Sequence, residues 1–349
     1  MTMPKYRTAD VAILIGRFQP FHNGHAALLE RALQSAPEVI VILGSAFHAR
    51  NPRNPFTWQE RAAMIANTLS ASDRERVSYI PLRDYYDDKR WARAVLNAVA
   101  EKTRAAASVA LIGHFKDASS QYLRHFPLWN LIEVGNQADI DATNIRQVLF
   151  EADSLDISLD VVAGSIPEAI RHYLKAWALL PCYGELVQEH AVLREYKASW
   201  SSAPYPPIFT TVDAVVRTAG HVLLIRRRHH PGLGLRALPG GFVEQSERLL
   251  QAAIRELEEE TTLGVLSGTL PDALVAVAVF DHPERSLRGR TITHAHFFDL
   301  KHEQLPEVEA ADDAASAGWV AIEELAGMEE QFFDDHFHIL DHFLQLTKD

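Results

Sequence analysis

The sequence has 349 residues, 47% hydrophobic and 23% charged, which favours two folded domains and excludes a disordered chain. A formal net charge of −12 argues against a broad nucleic-acid surface, and a single cysteine, Cys182, excludes an intrachain disulfide or a cysteine zinc cage. No apolar run approaches the roughly 20 residues of a membrane span, and the start MTMPKYRTAD lacks the apolar core of a signal peptide. The expectation is a cytoplasmic protein with no membrane or nucleic-acid partner. Local arginine clusters such as Arg226-Arg227-Arg228 could still hold a small anion.

Along the first half, short β-branched runs alternate with helical patterns. The run 11–15 leads through a glycine-bearing turn to a helix over 25–35, and the run 39–43 leads to a helix over 58–69. Strand 77–81, helix 92–103 and strand 109–112 continue the rhythm. Continuous apolar strands between helices predict a parallel sheet covered on both faces, a doubly wound α/β fold. Ligands of such folds sit at the carboxyl ends of the strands. A helix is expected over 166–193, with Cys182 as a buried small hydrophobe. The stretch SWSSAPYPP at 199–207 cannot continue a helix. The expected division is a domain over 1–195, a linker over 196–207 and a domain over 208–349.

The second half predicts paired strands over 210–216 and 221–227, turning at Ala219-Gly220. A helix over 247–261, strands over 274–281 and 291–300, and a terminal helix over 332–346 complete an α+β pattern. The stretch Asp334–His338, with its two aspartates and two histidines, reads as a helix surface.

Two motifs carry chemistry. GRFQPFHNGH at 16–25 follows a strand and opens a helix. Backbone N–H groups and the helix dipole there suit phosphate, and His22 and His25, three apart, can donate to its oxygens. Asp141 or Thr143 could cap a later helix whose first turn projects Arg146 toward a polyphosphate. Arg53 precedes the helix at Trp58. The second motif starts at Gly241. Glu247 follows after five residues, Arg255-Glu256 after seven more, and Glu259-Glu260 close it. On a helix Glu256, Glu259 and Glu260 share one face. Their mutual repulsion and oxygen donors suit Mg²⁺ or Mn²⁺, with Arg255 anchoring the helix through a carboxylate.

The stretches GRFQPFHNGH, RNPFTWQER and TNIR, with Asp84 and Trp91 between them, resemble the HxGH nucleotidyltransferases, and among them the archaeal-type nicotinamide mononucleotide (NMN) adenylyltransferases. The resemblance covers about residues 8–180 and implies a Rossmann-like nucleotidyltransferase domain. It implies that Arg17, His22, His25, Arg53 and Arg146 contact the ATP phosphates, with Gly16, Phe18 and Thr143 as further substrate-binding residues. It further implies that Asp84 and Trp91 hold the nicotinamide nucleotide. Asp141 stands where this family often has Ser. Residues 205–349 resemble Nudix hydrolases, with Glu256, Glu259 and Glu260 as implied metal ligands and catalytic groups. Thr262 stands where the Nudix pattern has Gly, so Gly264 is expected to end the helix. The segment 280–295 resembles Nudix domains of nicotinamide cofactor metabolism. That implies ADP-ribose as substrate, with Arg285, Arg288 and Arg290 at the ribose-phosphate end and Thr293 as a further polar contact. Arg236 stands where such proteins often have an aromatic residue.

As a whole the chain is similar to bifunctional NMN adenylyltransferase/Nudix hydrolases. The implied partners are ATP, nicotinamide mononucleotide, NAD and ADP-ribose, with a homo-oligomer left open. The alternatives are a different HxGH adenylyltransferase and a Nudix domain that only senses ADP-ribose.

Overall fold

The computed structural model describes residues 8–114, 123–135, 140–152, 154–265 and 267–347. The contacts divide the chain into two units, one running to Val187 and one beginning at Gln188.

The first unit alternates strands and helices as the apolar rhythm predicts. In chain order they are β1 (Val11–Gly16), α1 (Asn23–Ser35), β2 (Glu38–Leu43), α2 (Trp58–Asn67), α3 (Ala71–Arg74), β3 (Val77–Pro81), α4 (Asp88–Lys102) and β4 (Val109–Gly113). Then come β5 (Asn130–Glu133), α5 (Ala142–Glu151), α6 (Leu155–Val161), α7 (Glu168–Trp177) and α8 (Pro181–Ala198). All neighbouring strands are parallel, in the order β3-β2-β1-β4-β5. Successive residues of β1 feed opposite layers. Ala12 and Leu14 pack into the core that includes Leu29 of α1, while Val11, Ile13 and Ile15 pack into the core that includes Val95 of α4. A strand buried on both faces must be apolar throughout, which is why VAILI shows no alternation. The strand order reverses at β1 and β4, so the cleft beyond β1 is where a ligand is expected.

The expected helix over 166–193 is two helices, α7 and α8, broken ahead of Pro181, which can start a helix but not sit inside one. Helix α8 runs on to Ala198, into the stretch expected to link the domains. Cys182 is half-buried, free, and packed against the first unit's core.

The second unit holds β6 (Ile208–Thr218), β7 (His221–Arg227), β8 (Arg236–Ala237), β9 (Gly240–Phe242), α9 (Leu249–Thr261), β10 (Leu274–Phe280), β11 (Arg290–Asp299), β12 (Ala314–Ala321), α10 (Ile322–Leu325) and α11 (His336–Leu344). Its sheet runs β10-β11-β6-β7-β12, with β8 on β7 and β9 on β6, and β11 lies parallel to β6. Ala214, Val216 and Leu223 face Leu257 of α9, while Val215, Val222 and Leu224 face Phe337 and Leu340 of α11. Strand β12 was not expected. Its sequence AASAGWVA carries six small residues and little apolar signal.

Candidate active sites

At the end of β1 the two histidines form a reciprocal helix cap. The His25 N–H donates to His22 Nδ1 and the His22 N–H donates to His25 Nδ1, both at 3.4 Å. The rings stack with centroids 3.6 Å apart. Because each Nδ1 accepts, a neutral ring carries its proton on Nε2, which leaves an N–H donor on the ring edge away from the cap. Burial, then the His22 charge, holds the His25 pKa well below 6.5.

The other predicted pieces converge on this turn. Arg146, on α5, donates from Nη1 to Gln19 O at 2.7 Å and from Nη2 to Thr143 Oγ1 at 3.1 Å. Asp141 is the N-cap of α5 and accepts from the Thr143 N–H at 2.9 Å, which gives its carboxylate a structural role. The Gln19 side chain clasps Phe56, donating to its O at 2.9 Å and accepting from its N–H at 3.0 Å. That ties the Arg53 loop, itself folded around Asn51 Oδ1, to the same turn. Arg17 is exposed beside buried Phe18. Asp84, beyond β3, accepts from Ser45 Oγ at 2.7 Å and lies 3.0 Å from His48 Nε2. Trp91 packs near Phe126, centroids 5.9 Å apart.

Three further residues belong to this site and escaped the sequence reading. Ser45 and His48 follow β2, at the same strand ends, and no spacing marks them. Arg61 is fully buried and donates to Arg17 O, Gly44 O, Ser45 O and Thr57 O. Burial lowers its pKa to about 10. It fastens the ends of β1 and β2, and its signal was its place inside RNPFTWQER.

In the second unit Arg255 organises the carboxylates. It makes two bonds to Glu247, at 3.0 and 2.7 Å, and one each to Glu256 and Glu259, both at 2.9 Å. A fifth bond reaches Phe242 O at 3.2 Å. Glu260 does not reach Arg255 among these bonds and instead accepts from the Gly240 N–H at 2.9 Å. A Cβ on Gly241 would fall 2.6 Å from Glu256 Oε1, so a larger residue there would displace the Glu256 carboxylate. Burial raises the pKa of Glu256, and raises that of Glu260 to about 8 against the relief from Gly240. A buried and a half-buried carboxyl that repel each other in this way fit a divalent cation. Among the described residues no three His, Cys, Asp or Glu side chains are already gathered as a cage. Arg255 draws Glu256 and Glu259 to itself instead.

Thr262, not Gly264, ends α9, in the left-handed conformation at φ 37° and ψ 44°. The Thr262 Oγ1 bond to Glu309 O, 2.9 Å, holds it there.

The 280–295 segment is partly committed elsewhere. Arg285 is 5% exposed and pairs bidentately with Asp335, at 2.8 and 2.7 Å. Thr293 is buried and donates to Asp213 at 2.6 Å. Arg290 donates to Asp281 O. Arg288 lies over the Phe242 ring, 5.0 Å from its centre, and its Nε is buried without a partner. The stretch expected as a helix surface is interior. Asp335 is 1% exposed, and His336 is 7% exposed and accepts from the Leu238 N–H at 2.9 Å. Burial pushes the His336 pKa down to about 3 and the Asp334 pKa up to about 6.

Residues 13–148 match the Cytidylyltransferase-like family, and residues 207–343 match the NUDIX domain. A nicotinamide/nicotinic acid mononucleotide adenylyltransferase of Acinetobacter baylyi is 36% identical over 182 residues, 52% of this chain and 93% of that protein. An ADP-ribose pyrophosphatase of Methanocaldococcus jannaschii is 36% identical over 106 residues, 30% of this chain and 57% of that protein. A crystal structure from Francisella tularensis, a bifunctional NMN adenylyltransferase/ADP ribose pyrophosphatase complexed with AMP and a manganese ion, superposes with a TM-score of 0.87 at 35% identity. That match covers 97% of this chain and 99% of the other. The chain belongs to the bifunctional NMN adenylyltransferase/ADP-ribose pyrophosphatase family. The Cytidylyltransferase-like match lies in the first unit with GRFQPFHNGH, and the NUDIX match lies in the second unit with the glutamate motif. Among the described residues no helix is long and apolar enough to cross a membrane.

Proposed function

We propose that the first domain joins ATP and nicotinamide mononucleotide to give NAD and pyrophosphate, and that the second hydrolyses ADP-ribose to AMP and ribose 5-phosphate. The supporting observation is that both motif sites are intact in one chain that aligns with the Francisella enzyme over nearly its whole length.

In the first reaction a 5′-phosphate oxygen attacks the α-phosphorus of ATP, and the bond to the leaving pyrophosphate breaks. The nucleophile is already anionic, so no strong base is required. The barrier lies in bringing anions together and holding the charge that develops. His22 and His25 offer Nε2–H donors at the turn, and Arg146, Arg17 and Arg53 supply positive charge. Asp84 and Trp91 would seat the nicotinamide nucleotide, with Ser45 and His48 fixing the Asp84 carboxylate.

In the second reaction Glu256, Glu259 and Glu260 would hold Mg²⁺ or Mn²⁺. Bound there, the cation would polarise the pyrophosphate and make a water more acidic. Arg255 and the Gly240 N–H orient the carboxylates. Arg288 is the segment's arginine left for the substrate, and Arg285 positions the segment through Asp335. We propose domains over 1–195 and 208–349 joined by 196–207, whereas the contacts divide the chain between Val187 and Gln188.

Mass spectrometry of the products tests this. ATP with nicotinamide mononucleotide should give NAD, and ADP-ribose should give AMP and ribose 5-phosphate. Adenylylation of a flavin or pantetheine phosphate instead, or binding of ADP-ribose without turnover, would sink it.

A further inference from the structure

The arginine row 226–228 splits three ways. Arg227 donates from Nε to Pro231 O at 2.8 Å and lies over the Phe333 ring. Arg228 donates to Ala314 O at 2.7 Å. Arg226 sits directly opposite Arg236 across β7 and β8. Like charges in such a pair repel, and guanidinium groups cannot shed their protons to escape.

Neither arginine is neutralised by an ion pair among the described residues. Arg226 gives one bond, from Nη1 to Gly234 O at 2.9 Å, and Arg236 gives one, from Nε to Gln331 Oε1 at 3.3 Å. Burial and the neighbouring Arg226 both pull the Arg236 pKa down, while Glu324 opposes them. Both arginines line a cleft of 380 Å³, with Glu324, His221, Ser316 and Gly318 among its other walls. Two positive charges against one carboxylate leave this cleft cationic in a chain of net charge −12. A Cβ at Gly318 would meet nothing within 4 Å, so there is open space at that wall. The volume falls in the range of small-molecule sites, roughly 300–1,000 Å³.

We propose that this cleft binds the phosphate group of a small anion, chelated by Arg226 and Arg236. Two adjacent guanidinium forks match the oxygens of a phosphate, and its charge removes their repulsion. The site is distinct from the carboxylate cluster on α9, and it does not depend on which reaction that cluster performs.

The test uses the full chain without metal, by calorimetry and thermal melting, with inorganic phosphate and with glycerol 3-phosphate. The variants are the double substitution Arg226→Gln/Arg236→Gln and, separately, Gly318→Trp, which fills the cleft and spares the arginines. Phosphate should raise the melting temperature of the wild type more than that of either variant, and affinity should fall by roughly tenfold or more. Without phosphate, the double variant should melt no lower than the wild type. Tighter binding of glycerol 3-phosphate would identify a phosphorylated metabolite, and tighter binding of phosphate the free ion. Equal phosphate responses in wild type and variants, or a double variant that melts lower without phosphate, would overturn the proposal. The first outcome would show no site, and the second would show that the arginines serve the fold.

Discussion

His25 is a neutral donor by construction: its Nδ1 is engaged by the His22 N–H, and burial disfavours its charged form. Replacing it with alanine removes a donor aimed at developing phosphate charge. His25→Ala should lower NAD formation by roughly 10²–10³-fold and cost about 1 kcal/mol of stability through the lost cap, leaving ADP-ribose hydrolysis unchanged. A folded variant with wild-type adenylyl transfer would remove His25 from the mechanism. Glu260 gives the second residue-scale prediction. Its folded pKa of about 8 lies above the usual 4.5, so the folded state binds the proton more tightly than the unfolded. The stability it contributes is complete below pH 4.5 and is lost as pH rises to about 8. Metal-free protein should therefore lose melting temperature between pH 5 and 8 more steeply than Glu260→Gln. Mg²⁺ or Mn²⁺ should flatten the wild-type slope, because a cation favours the ionised carboxylate. Identical slopes in all three conditions would contradict the burial argument.

Among the elements, most strands of the first unit were legible because full burial forces unbroken apolar runs, and β1, β2 and β4 fell where those runs lie. The edge of α2 was partly legible too. TWQE is a capping box, in which Thr57 and Glu60 satisfy each other's N–H groups, so part of a motif read for its chemistry serves to start a helix. Elements fixed by partners distant in sequence were not legible. Strand β12 is small-residue strand held by β7, and Asp335 and His336 are interior only because Arg285 and the Leu238 N–H meet them there. The same limit hid Arg61, whose role depends on carbonyls at the ends of two strands. Arg61→Met would leave those carbonyls facing an apolar side chain. It should cost about 3 kcal/mol or more, read as a lower urea midpoint at unchanged slope, and should impair adenylyl transfer even below the unfolding transition. A midpoint within error of the wild type would show that the clamp is dispensable. Thr262→Gly addresses the left-handed end of α9. Relief of strain of about 1–2 kcal/mol exceeds the loss of one exposed bond to Glu309, so a gain of about 0.5 kcal/mol in stability is expected, with hydrolysis retained. A clear loss of stability would mean that the Glu309 bond matters more than the strain.

On the scale of the whole molecule, the chain carries a site proposed to make a dinucleotide and a site proposed to cleave one. NAD and ADP-ribose share the adenosine and the pyrophosphate, and they differ in the nicotinamide ring. A hydrolase that accepted both equally would destroy the product of its own chain. Discrimination must come from the end of the substrate where the two differ, and the structure narrows which residues can supply it. Arg285 and Thr293 are committed to Asp335 and Asp213, and Arg290 to Asp281 O. Arg288 keeps a buried Nε without a partner, beside the Phe242 ring that follows Gly241. A free ribose hydroxyl can pair with that group, whereas nicotinamide in its place would leave it unsatisfied. An unpaired buried donor costs about 1–3 kcal/mol, and steric exclusion of the ring adds to it, so a preference of about 10²-fold or more is expected. The prediction is that kcat/KM for ADP-ribose exceeds that for NAD by at least this factor, with either Mg²⁺ or Mn²⁺ present. Arg288→Ala should shrink the ratio mainly by slowing ADP-ribose cleavage, because the lost contact is one that NAD never makes. Comparable efficiencies on the two substrates, or an Arg288→Ala variant that slows both equally, would place the discrimination elsewhere in the domain.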